Sequence, residues 1–330
     1  MARRMSRKKL KRKKPEVELT VEDYRVPGEK RIYWEGVGGL FGIFIIAAYN
    51  IQYFMVGPPL HQNILPDAPL YNKWWIPIIV LLLPLITWLI ANFIALRQRN
   101  QRIKQEGLHA RVLNKNYPKL KAILAEQSKL LGIDEPEMYV LDEDAPVMYS
   151  LPGKRGKIVT TAAMLDALND EEIALMIARE MGHIKACHPR MMIVAGFMLR
   201  TNPVLKVLLF PITAMAFFLR GWMDLAEATA DRMALLMGGR PALINAALVK
   251  LQVAMDRESE ITREELEAYL DAGSDLASDA GQIERHFKMG EFLGKHETLR
   301  ERIEEIRQFP RTEEGQQAMQ KMIEAKQRLA

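Results

Sequence analysis

Residues 74–96 (WWIPIIVLLLPLITWLIANFIAL) form a run without a single charge. A chain carrying such a run must either enclose it in a core or leave it to lipid, where about 20 apolar residues cross the hydrocarbon. Paired tryptophans, Trp74 and Trp75, open it, and RQRNQRIK follows it, the flanks of a membrane span. Pro77 and Pro84 are tolerable in a bilayer helix. An earlier run, Gly36–Gly57, is long enough to cross as well, although Asn50 and Gln52 weaken it. The linker between them, Pro58–Lys73, holds four prolines and one basic residue, whereas residues 1–36 hold twelve Lys/Arg and Arg97–Lys104 adds four. The positive-inside bias puts both ends of this hairpin in the cytoplasm. Residues 1–35 are a basic cytoplasmic tail on this reading, and 36–96 a transmembrane hairpin with helices at about 36–57 and 74–96.

Net charge is +5, and residues 1–14 carry nine basic residues and no acid, so the rest of the chain sums to −4. The basicity therefore belongs to the tail, where it favours anionic headgroups of the inner leaflet. No stacking-aromatic pattern accompanies it, and no nucleic-acid partner is expected. Apolar residues make up 49% of the chain at a mean hydropathy of −0.10, and the nineteen methionines suit core or bilayer filling. One cysteine, Cys187, excludes an intramolecular disulfide and suits a reducing compartment.

Beyond about Ala110 the pattern turns globular, and 97–310 reads as one domain. Tyr117–Leu131 is an amphipathic helix stopped by Gly132. Met138–Leu141 is a short strand, and Val147–Leu151 with Lys157–Thr161 flank the turn cluster Pro152-Gly153-Lys154-Arg155-Gly156, which predicts a hairpin. Asn169 and Glu172 form a capping box for the next helix. Met191–Leu219 is a further apolar region, broken at Arg200-Thr201-Asn202-Pro203, and reads as a helical hairpin lying against the membrane or dipping into it. Asp224–Met237, Pro241–Met255, Glu264–Leu270 and Arg300–Phe309 are helical, and 311–330 is a solvated C-terminal helix.

The capped helix carries Arg179-Glu180-Met181-Gly182-His183. In H-E-x-x-H two histidines at i and i+4 share one helix face and hold a zinc, with the glutamate as general base. Here Arg179 stands at the first position. His188 lies five residues after His183, rotated by about 140° on a continuing helix, and is a poor replacement ligand unless the helix ends before Pro189.

The order of parts is an LPG hairpin, a capped R-E-M-G-H-I-K helix, an apolar hairpin, then E-A-T-A-D on a helix. In this order the chain resembles the membrane zinc endopeptidases of the HtpX and CaaX prenyl protease family over about Ala110–Phe309, and the preceding two-helix anchor resembles the HtpX arrangement. The resemblance implies a helix-rich α+β, zincin-like metallopeptidase domain with a small antiparallel sheet. It implies His183 and Glu227 as zinc ligands, Glu180 as general base, and His296 as a cleft residue contacting substrate or the oxyanion. Asp231 and Arg302 would support the site, and Leu151-Pro152-Gly153 would border a cleft whose edge receives an extended peptide.

Three residues depart from that pattern: Arg179, Val147 where an Asn is expected, and Glu297 where a Pro follows His296. The first decides the chemistry. A guanidinium stays protonated and has no lone pair to give. Two unit charges at 4 Å interact by about 4 kcal/mol at an effective dielectric of 20, and a dication feels about twice that. Zinc, expected from the family, is therefore expected to be weak or absent, with Arg179 paired to Glu227 in its stead. The reading that follows is an inner-membrane, multi-pass pseudoprotease, both termini cytoplasmic, which binds peptides or regulates a membrane partner. The alternative is an active zinc metalloendopeptidase that cleaves membrane or misfolded proteins in protein quality control.

Overall fold

Asn169 fixes the start of the helix on which the domain is stacked. In the computed structural model its side chain accepts from the Glu172 N–H at 2.9 Å, and the Glu172 carboxylate accepts from the Asn169 N–H at 2.9 Å. Two orphan donors of the first turn are thereby satisfied reciprocally. Asn169→Ala should lower the unfolding free energy by about 1 kcal/mol, measured by chemical unfolding of the detergent-solubilised protein.

The structure describes residues 19–56, 75–106, 110–113, 115–200, 203–208, 210, 213–214, 219–255 and 299–329. Its helices are α1 (Glu29–Val56), α2 (Trp75–Glu106), α3 (Pro118–Leu131), α4 (Ala162–Ala167), α5 (Asp170–Lys185), α6 (Pro189–Arg200), α7 (Pro203–Leu208), α8 (Arg220–Gly238), α9 (Pro241–Met255), α10 (Leu299–Gln308) and α11 (Glu313–Leu329). The strands are β1 (Glu137–Leu141), β2 (Met148–Leu151) and β3 (Lys157–Thr161). The expected helix at Glu264–Leu270 lies outside the described residues, as do the basic tail at 1–14 and the linker at 58–73.

The sheet is mixed rather than antiparallel, in the order β1-β3-β2. The tight turn at Pro152–Gly156 makes β2 and β3 a hairpin, with Met148 opposite Thr160 and Leu151 opposite Lys157. β3 then inserts between β2 and β1 and runs parallel to β1, from Glu137 opposite Lys157 to Leu141 opposite Thr161. Residues 142–147 need only step across one inserted strand, about 10 Å, which six residues reach easily. β2 is left as a sheet edge beside α5.

The main core joins α5 and α8 to the sheet, with Ile158, Ile177, Met181 and Met233 fully buried. The C-terminal helix is not solvated all round: Ala318 and Met322 of α11 are buried in this core. A second cluster joins α1, α2, α6 and α8 through Leu40, Phe44, Ala91, Val194 and Trp222. The apolar region after the motif thus begins as a helix packed on the first two.

Among the described residues, two helices are long and apolar enough to cross a membrane, over Glu29–Ile51 at mean hydropathy 1.5 and Ile78–Gln105 at 2.5. Only 22% of each apolar window is buried. Ile45, Ile46, Leu85, Leu89 and Phe93 all face outward, so these are not core helices of the domain.

Candidate metallopeptidase-like site

The site is made where α5 crosses α8, and a glycine permits the approach. A Cβ on Gly182 would lie 2.8 Å from the Met233 Cβ. Glu227 and Asp231, one turn apart on α8, therefore face the helix turn that bears Arg179, Glu180 and His183.

Arg179 occupies the middle of this arrangement, its side chain 13% exposed. Its Nε donates to Asp231 Oδ1 at 2.9 Å, its Nη1 donates to Glu180 Oε1 at 2.8 Å, and its Nη2 meets the Glu227 carboxylate. The expected pairing with Glu227 is present, with two further carboxylates. Asp231 also takes Arg302 from α10, whose Nε and Nη2 each donate at 2.9 Å. Glu180 accepts a hydrogen bond from Ser150 on β2. Burial, with help from the Asp231 charge, holds the Glu180 carboxyl above its ordinary pKa despite Arg179 and Ser150.

His183 is buried, and its Nε2 lies 3.8 Å from Glu227 Oε1. Burial first, then the charges of Arg179, His188 and Arg302, push its pKa well below the ordinary 6.5, so the ring is neutral. α5 stops at Lys185, before Pro189, but His188 does not supply the missing ligand. Its Nδ1 faces the Nδ1 of His183, and its Nε2 faces Glu29. His296 and Glu297 lie outside the described residues.

Residues 114–309 match peptidase family M48. The chain belongs to that family. Its relatives within M48 include the plastoglobule-localized metallopeptidase 48 of Arabidopsis thaliana chloroplasts, 29% identical over 142 residues that are 40% of this chain and 39% of that protein. An HtpX protease homologue of Tropheryma whipplei (strain Twist) is 33% identical over 79 residues, 23% of this chain and 27% of the relative. One of Picrophilus torridus is 24% identical over 150 residues, 44% and 43%. The chain thus spans less than half the length of these relatives. No solved structure matches it. It is an HtpX-like, metallopeptidase-like M48 protein.

M48 membership implies a metal, usually zinc. The residues present do not fit one. His183 and Glu227 are two donors where a catalytic zinc normally has three protein ligands. The position of the third is held by a cation that already occupies Glu227. Among the described residues, no group of three or more His, Cys, Asp or Glu is arranged to hold a metal ion.

The fold gathers Arg179, Glu180, His183, Glu227, Asp231 and Arg302, the six described residues that the sequence singles out. Ser150 and Glu29, which the sequence does not single out, reach the site from a strand edge and from the first apolar helix. Neither lies in a motif, and only tertiary packing brings them near.

Proposed function

We propose that this M48 protein is a membrane-anchored pseudoprotease, in which a guanidinium has taken the place of the metal and peptide hydrolysis is lost. The observation that carries this reading is the threefold engagement of Arg179 with Glu180, Glu227 and Asp231. A carboxylate engaged by a guanidinium is not free to ligate, and Glu180 Oε1 is taken up by Arg179 rather than turned to a water.

What remains is a binding surface. β2 lies at the sheet edge next to α5, and an exposed edge strand adds an extended peptide through its main-chain groups. A peptide or a membrane-protein segment is the partner that suits such an edge. The two apolar helices support an anchor in the inner membrane, and the basic residues at 1–14 and 97–104 support a cytoplasmic side for the domain and both termini.

Metal content and peptide hydrolysis of the purified protein, beside an Arg179→His variant, test the reading. The unmodified protein should hold no stoichiometric zinc and cleave no peptide, while the variant should take up zinc. Zinc-dependent cleavage by the unmodified protein would establish an active endopeptidase instead.

A further inference from the structure

Two helices fix the depth at which the domain meets the bilayer. On α2, Phe93 is 64% exposed, and Arg97, one turn further on the same face and also exposed, ends the uncharged run at Leu96. The hydrocarbon boundary therefore falls near Leu96, with Arg97 reaching into the headgroups. Arg99 and Asn100 follow about 4.5 and 6 Å further along the axis, within a headgroup layer about 5–8 Å thick on each side. Both touch the sheet. The Arg99 guanidinium lies 4.5 Å from the centroid of the Tyr149 ring on β2. Lys157 Nζ, at the start of β3, donates to Asn100 Oδ1 at 3.1 Å.

α1 gives the same level. Trp34 is 67% exposed, about one turn after Lys30 and Arg31 and before the outward-facing Phe41 and Ile45, the place of an interfacial tryptophan. Its neighbour Tyr33 packs edge-on against Trp222 at 5.4 Å, and Trp222 against His188 at 5.7 Å. The sheet edge and the Arg179 site thus both sit beside the ends of the apolar helices, not on a stalk above them.

The charges around the sheet edge are basic. Lys154 and Arg155 are exposed in the turn between β2 and β3, next to Lys157, and no ion pair engages either among the described residues. Arg190 is exposed in the first turn of α6, which packs through Ile193 on the same apolar cluster as Leu151 and Val159. The acid opposite Lys157 in the sheet, Glu137, is taken by Arg111 at 2.9 Å. Asp142, Glu143 and Asp144 lie past the other end of β2, about 10 Å away at the rise of an extended strand.

We propose that the turn at Pro152–Gly156 docks on the anionic surface of the bilayer, where Lys154 and Arg155, flanked by Arg97 and Arg190, hold the phosphates of acidic phospholipids. The contact keeps the β2 edge and the cleft beside α5 at headgroup depth. It rests on the proposed membrane anchor and holds whether or not hydrolysis is lost.

The test uses the full chain in phosphatidylcholine nanodiscs, with its exposed cysteine removed by Cys187→Ser and a fluorophore attached through Gly153→Cys. A Cβ on Gly153 meets nothing closer than 3.7 Å, so the turn accepts the change. Two quenching lipids are compared at equal small fractions, phosphatidylglycerol and phosphatidylcholine, each with a nitroxide near the top of one acyl chain. Both should quench, because helix packing sets the depth. The anionic lipid should quench more strongly, since each cation near an anionic surface favours it by about fivefold. Lys154→Gln with Arg155→Gln should keep the phosphatidylcholine signal and lose the anionic excess. No quenching by either lipid, from a chain that has entered the discs, overturns the proposal, because the domain then stands clear of the surface. So does equal quenching by the two lipids, or an anionic excess that survives the double substitution. A chain that does not enter the discs defeats the anchor itself, and this surface with it.

Discussion

Arg179→Met is expected to destabilise the protein by about 3–5 kcal/mol at neutral pH, the range for breaking a buried charge cluster from one side. The substitution keeps an unbranched stem and removes three donors. Asp231 retains Arg302. Glu227, 31% exposed, recovers water, but Glu180 is 4% exposed and loses its only cationic partner among the described contacts. Arg179→Lys restores charge without the planar fork, so it should recover only part of the loss. The loss should also depend on pH. Glu180 has its folded-state pKa raised above the ordinary 4.5, so the folded protein binds that proton more tightly than the unfolded chain does. Its contribution to stability is complete below about 4.5 and disappears as pH rises through the raised value. Without the opposing charge of Arg179 the carboxyl rises further, and the difference between variant and parent should shrink on acidification. Urea unfolding in detergent across a pH series measures this; a loss under about 1 kcal/mol, or one that grows toward acid, would show that the guanidinium is not a structural replacement for a metal.

The parts of this site that were legible in the sequence are those with a local signature. Asn169 and Glu172 sit three residues apart before an apolar run, and a cap needs nothing more distant. Lys157–Thr161 is a β-branched run after a Gly-containing turn, and it folds as β3 with those bounds. Arg179, Glu180 and His183 have a fixed helical phase, and Glu227 and Asp231 another, so their shared faces follow from spacing alone. That the two faces meet came from resemblance to a family.

What was illegible depends on where the chain goes between elements. Nothing in Met138–Leu141 says that its neighbour is β3 rather than β2, so an antiparallel sheet was expected where a mixed one forms. His188 is misplaced on a continuing helix, and Pro189 marks that the helix must end, but not which way the chain then turns. The stop at Lys185 and the left-handed Cys187 change its direction, and a non-glycine residue at positive φ has no reliable sequence mark. Glu29 was counted with the tail because its charge lies beside many others. Its burial depends on Thr229 and His188, two hundred and one hundred and fifty-nine residues away.

Gly182→Val should cost about 3 kcal/mol or more, because at the fourth residue of R-E-M-G-H α5 lies against α8 with no room for a Cβ. An added Cβ would stand 2.8 Å from the Met233 Cβ, 3.0 Å from its Cγ and 3.6 Å from the Ala230 Cα. The Cβ of Met233 is fixed to the α8 backbone and has no rotamer to escape into, so the two helices must part. Overpacking of this kind costs about 1–3 kcal/mol for small insertions, and valine adds a β-branch against the preceding turn. Gly182→Ala should cost less, since alanine returns up to about 1 kcal/mol of helix propensity. The damage would not stay local. Arg179 lies one turn before Gly182 and reaches across the same crossing to Glu227 and Asp231, so parting the helices lengthens those contacts too. A double-mutant cycle isolates the cause: Met233→Ala keeps the offending Cβ and should relieve Gly182→Ala little, whereas Met233→Gly removes it and should couple favourably. If both substitutions at 233 rescue Gly182→Ala equally, the Met233 Cβ is not the atom that holds the helices at their distance. Glycine at this position would then have to be explained by something other than the meeting of the two helices that hold Arg179 among its carboxylates.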